Sequence, residues 1–137
     1  MKLSRVLAPL SLALVASAAF TTHPLQAQGS GVYTADQAKA GAAIFAAQCS
    51  ACHGAKLEGN SAPPLAGPEF ISKWSGQTAD DLRDVIATQM PFTAPGSLKP
   101  DQVLAVLAYI LQQNKYPAGE SALTAPKTKT VKIVKQG

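Results

Sequence analysis

Cys49-Ser50-Ala51-Cys52-His53 decides how this chain is read, because it holds every cysteine of the sequence. In Cys-x-x-Cys-His the two intervening residues set the sulfurs about one helical turn apart, near enough to add across the two vinyl groups of one haem. His53, directly after the second sulfur, then projects over the ring toward its iron. Competing chemistries fit less well. A structural zinc site needs four ligands, and the one other histidine, His23, falls in an N-terminal segment read below as a cleaved leader. Thiol–disulfide exchange wants a βαβ setting, and a plain disulfide at this spacing closes too small a loop to stabilise much.

Outward from the motif the pattern is helical. Thr34 and Gln37 match a capping box, and Ala38, Gly41, Ala42, Phe45 and Cys49 recur on one face, predicting a helix over 34–48 that delivers the chain to the cysteines. Gly59, Pro63, Pro64, Gly67 and Pro68 deny regular structure to most of 55–76, which reads as a wrapping loop with a short helical turn around Glu69 to Lys73. Thr78 caps a second helix, with Asp80, Asp81 and Asp84 near its positive end and Leu82, Val85 and Ile86 on its buried side, until Pro91 ends it. Met90 to Gly96 contains two prolines and a glycine, a loop stiffened by fixed dihedrals. Pro100 and Asp101 then start a helix whose apolar face is Val103, Leu104, Val106, Leu107, Ile110 and Leu111, stopped by Asn114 and Pro117. No strand pairs, βαβ alternation or repeats appear, so the expected fold class is all-α and small.

A length of 137 residues allows one domain with tails. With 47% hydrophobic residues but only 6% aromatic ones, the core is thin in bulk, and a large flat macrocycle supplies volume that the side chains do not. The net charge of +4 does not indicate nucleic acid, because its sources are local. Lys2 and Arg5 precede the uncharged stretch Val6 to Phe20, the anatomy of a secretory signal over 1–27, with cleavage after Ala27 and a second acceptable site after Ala18. That stretch is short for a bilayer span and broken by Pro9, so no stable membrane insertion is expected after cleavage. Lys127, Lys129, Lys132 and Lys135 crowd the end without an acid among them. The expected division is therefore a signal at 1–27, a slightly acidic domain at 28–125, and a basic, flexible, solvated tail at 126–137.

From Thr34 to Asn114 the chain resembles the class I c-type cytochromes: a helix with Gly41 and Phe45, the cysteine motif just after it, and a last helix with Tyr109. The resemblance implies a small cytochrome c fold in which N- and C-terminal helices cross and loops wrap one covalently attached haem c. It implies iron ligation by His53 on one side and Met90 on the other, since Met90-Pro91 matches the family's ligand motif and Met90 is the one methionine beyond the initiator. Pro63-Pro64-Leu65 matches the stretch whose carbonyl, placed at Pro64, accepts the imidazole N–H while Leu65 packs on the ring. Trp74 either hydrogen-bonds a haem propionate or packs in the core, and Lys56, Lys73 and Lys99 either ring the haem edge or are simply solvated. Ser61 to Gly67, Trp74, and Met90-Pro91 with Ala94 to Leu98 are most similar to cytochromes associated with pyrroloquinoline-quinone dehydrogenases. The implied function is periplasmic single-electron transfer, without enzymatic activity, from a donor such as a quinoprotein dehydrogenase toward a terminal oxidase or another carrier, as a monomer or a subunit of a redox complex. The alternative is a haem protein with a labile Met90 that binds a gas or peroxide.

Overall fold

The computed structural model describes residues 31–137; the expected signal segment, with His23, lies outside them. Among these residues six helices follow in order: α1 (Ala35–Gln48), α2 (Ser50–His53), α3 (Pro68–Trp74), α4 (Ala79–Gln89), α5 (Pro100–Gln113) and α6 (Ala125–Thr128). Among the described residues there is no strand, only isolated bridges joining Tyr33 to Ala118 and Thr78 to Lys132.

The principal helix pair is α1 on α5. Thr34, in extended conformation, accepts the Gln37 backbone N–H on its hydroxyl at 3.2 Å. The Gln37 side chain does not return that bond, as a capping box would have it. Its Nε2 donates to the Leu123 carbonyl at 2.9 Å and its Oε1 accepts the Leu123 N–H at 2.7 Å, so a side-chain amide pairs with the chain beyond α5. Ala38, Gly41 and Phe45 form the buried face of α1. A Cβ on Gly41 would lie 1.9 Å from the Ala105 carbonyl oxygen, so the two backbones touch and only glycine fits. One turn further, the Phe45 and Tyr109 rings sit 5.4 Å apart at 55°, a tilt aromatic pairs favour.

At the start of α4 the reciprocal cap is complete. Asp81 accepts both the Thr78 hydroxyl and the Thr78 N–H at 2.7 Å, and Thr78 Oγ1 accepts the Asp81 N–H at 3.2 Å. The hydroxyl bond first, then the backbone N–H, hold the Asp81 carboxyl below its ordinary pKa. Its contribution to stability is therefore fully present above the unfolded-state pKa, about 4, and is lost as pH falls through the lower folded value. The difference in thermal midpoint between the protein and Asp81→Ala should be largest near neutrality and shrink on acidification below about pH 4; a difference independent of pH would refute this.

The segment 126–137, expected as a solvated tail, is packed against the domain. Ile133 is fully buried; its N–H donates to the Gln77 carbonyl at 2.9 Å and its carbonyl accepts the Gly76 N–H at 3.1 Å. Thr128, also fully buried, donates its hydroxyl to Asp80 at 2.6 Å, and Tyr116 donates its own to the Lys132 carbonyl at 2.9 Å. The physical reason is that the lysines alternate with Val131 and Ile133, which turn inward, while Lys132 lies near Asp81 at the acidic start of α4. Ile133→Ala should cost about 2–5 kcal/mol, read as a lower urea midpoint; an unchanged midpoint would mean that the segment is solvated after all.

Candidate cofactor site

The motif is presented by a helix end followed by a single helical turn. Cys49 caps α1 and its carbonyl accepts the N–H groups of Cys52 (3.2 Å) and His53 (3.0 Å), which wraps the two sulfur-bearing residues and the histidine around one turn. Gly54, at φ 81, then reverses the chain in a backbone region that favours glycine. The returning loop bonds back to the motif: the Gly59 N–H to the His53 carbonyl at 2.8 Å, and the Ala62 N–H to the Cys52 carbonyl at 3.0 Å. Cys49 is half-buried and Cys52 exposed. Burial, then the Cys52 charge, pushes the Cys49 thiol up to about 11.

His53 is 9% exposed, and its Nδ1 lies 2.8 Å from the Pro63 carbonyl. A carbonyl only accepts, so Nδ1 carries a proton, which in the neutral ring leaves the lone pair on Nε2. The acceptor is Pro63, not Pro64 as expected from sequence. Prolines have no N–H, so the loop is registered by its neighbours, Ala62 on Cys52 and Leu65 on Leu57 (2.9 Å), and that register turns the Pro63 carbonyl to the ring. Leu57 adopts φ 60, rare for a leucine, with its side chain wholly buried and its carbonyl taken by Leu65.

One cavity, with about 530 Å³ of empty space including its open mouth, brings the remaining candidates together. His53, Pro64, Leu65, Trp74 and Met90 all line it, while Cys49 and Cys52 lie outside its lining. Of the three lysines, Lys73 lines the cavity; Lys56 and Lys99 do not. Leu82, Val85, Ile86 and Ile110 complete the apolar wall. Their helical spacing marked them only as buried, and nothing in that spacing separates a cavity wall from solid core. Met90 ends α4 in extended conformation, and its carbonyl accepts the Gly96 N–H at 3.3 Å, closing the proline loop on itself. Phe92, two residues on, is 83% exposed.

The donor set is chemically matched to a haem iron: a neutral imidazole nitrogen fixed in one tautomer, a soft thioether, apolar walls, and two thiols on the turn beside the imidazole. The family profile described as cytochrome c oxidase, cbb3-type, subunit III, matches residues 36–110. No curated protein matches significantly. The structure is similar to that of the sulfane dehydrogenase SoxCD from Paracoccus pantotrophus, with a TM-score of 0.56 and 22% identity over 90% of this chain and 68% of that one. At that identity the likeness speaks to the fold.

Proposed function

Because the chain belongs to the class I c-type cytochromes, in the family described as cytochrome c oxidase, cbb3-type, subunit III, we propose that it is an exported, periplasmic carrier of single electrons. Its cofactor is covalently bound haem c. Bound there, haem c supplies an iron that accepts and releases one electron at a time. Cys49 and Cys52 would form the two thioether links, and His53 would offer Nε2 to the iron, its ring oriented by the bond from Nδ1 to Pro63. Met90, which lines the same cavity, would supply a second ligand, and its thioether, soft and neutral, would favour the ferrous state. Leu65, Pro64 and the apolar stripe of α4 would keep water from the ring, and Trp74 lines the same cavity. With His53 and Met90 both holding the iron no position on it would be left for a substrate, which supports a carrier over an enzyme. The donor is a periplasmic dehydrogenase of the quinoprotein kind and the acceptor a terminal oxidase or another carrier; the loop sequences around Pro64 and Met90 support the first and the family's description the second.

The observation that carries this reading is that His53, with its tautomer fixed, and Met90 line one apolar cavity beside the two-cysteine turn. The test is the visible spectrum of protein exported together with haem-maturation machinery, oxidised and reduced, with carbon monoxide added to the reduced form. A low-spin spectrum unmoved by carbon monoxide is expected. High-spin iron or rapid carbon monoxide binding would replace the carrier by a ligand-binding haem protein.

A further inference from the structure

Asn114 is a polar side chain inside the molecule, 6% exposed, and it does more than stop a helix. Its Nδ2 donates to the Ile110 carbonyl at 2.9 Å, a bond local to the end of α5. The other two bonds reach far back along the chain: Nδ2 donates to the Leu65 carbonyl at 2.9 Å, and Oδ1 accepts the Gly67 N–H at 3.1 Å. Both N–H donors of the amide and its oxygen are thus engaged, as a buried amide requires.

The segment it grips is poor in donors. Pro63 and Pro64 have no N–H, and the Leu65 N–H is spent on Leu57. Leu65 lies two residues after the carbonyl that holds His53, and Gly67 caps α3, the helix that brings Trp74 to the cavity. One side chain on α5 therefore locates both the wall behind His53 and the start of the Trp74 helix.

We propose that Asn114 is a positioning residue for the cofactor: by clamping 65–67 to α5 it holds the Pro63 carbonyl against the His53 ring N–H and so sets the basicity of that ligand. The inference rests on His53 being an axial ligand. A carbonyl held at 2.8 Å draws on the ring proton and makes Nε2 a stronger donor; a carbonyl free to drift does so less. Asn114 touches no cofactor itself and acts through the loop.

The test is exchange with water of the His53 ring N–H and the Gly67 amide N–H, followed by NMR in the ferrous holoprotein. In the protein itself the two protons should exchange through a common opening, with matching protection. Asn114→Ala should speed exchange of the His53 proton about tenfold or more, the loss expected when a buried hydrogen-bonded clamp is removed. Gln37→Ala, which cuts the pairing with Leu123 elsewhere in the fold, should leave it unmoved. A folded Asn114→Ala with unchanged His53 exchange would overturn the proposal. If that variant does not fold, unrelated openings of Gly67 and His53 in the unmodified protein would overturn it equally. A spectrum without imidazole ligation would sink the functional reading and this one together, whereas normal ligation with unmoved exchange sinks this one alone.

Discussion

Met90→Ala should yield a protein that still carries its haem through Cys49 and Cys52 yet binds carbon monoxide in the reduced state. The cysteines sit on the α1–α2 turn, and Met90 comes from the end of α4, so attachment by the first and iron ligation by the second, as proposed, would depend on different parts of the chain. Alanine offers no lone pair, so water or an external ligand takes the vacated position. Exchanging a soft sulfur for a hard oxygen favours ferric iron, and the reduction potential should fall by an amount on the order of hundreds of millivolts, within the roughly 0.8 V that axial ligands command. The ferric spectrum should turn high-spin and lose the weak far-red band of methionine ligation. A variant whose spectrum and indifference to carbon monoxide match those of the parent would remove Met90 from the iron.

Gly41→Ala should be the most damaging single methyl group that can be added to the helix crossing. The new Cβ would lie 1.9 Å from the Ala105 carbonyl oxygen, 2.4 Å from its carbon and 3.0 Å from the Tyr109 Cβ. Two of these neighbours are backbone within a helix, which cannot rotate away as a side chain does. The helices must separate, and the contact between Phe45 and Tyr109 one turn along is strained with them. A cost of about 3 kcal/mol is expected, the upper part of the range for overpacked cores and a large share of a small domain's stability. The urea midpoint of the Gly41→Ala holoprotein against that of the parent decides the matter, and an unchanged midpoint would show that the crossing is not packed backbone to backbone.

The helices were legible because each carries a local signal: Thr34 and Thr78 at their starts, Pro100 at a first turn, and apolar residues at helical spacing. The cofactor motif was legible for the same reason, since its chemistry lies in five consecutive residues. The readings that failed concern residues whose partners are distant. Gln37 looked like half of a capping box because nothing in the sequence points to Leu123. Pro64 was preferred to Pro63 because register is set by hydrogen bonds from Ala62 and Leu65, and two adjacent prolines look alike from sequence. The last twelve residues looked solvated because four lysines dominate their composition, while burial is decided by Thr128 and Ile133 alone. Asn114 read as a helix stop, which it is, but sequence does not show that its amide also reaches Leu65 and Gly67.

The far-reaching contacts of the C-terminal segment impose an order on the making of this molecule. The Gln37 amide meets Leu123 across 86 residues, and Ile133 closes on Gly76 and Gln77, so these bonds must wait for nearly the whole chain. The turn from Cys49 to Gly54 depends on neighbours a few residues away and forms early, because closing a short loop costs little entropy. A chain that emerges N-terminus first therefore presents Cys49, Cys52 and His53 while α1 has no α5 to lie against.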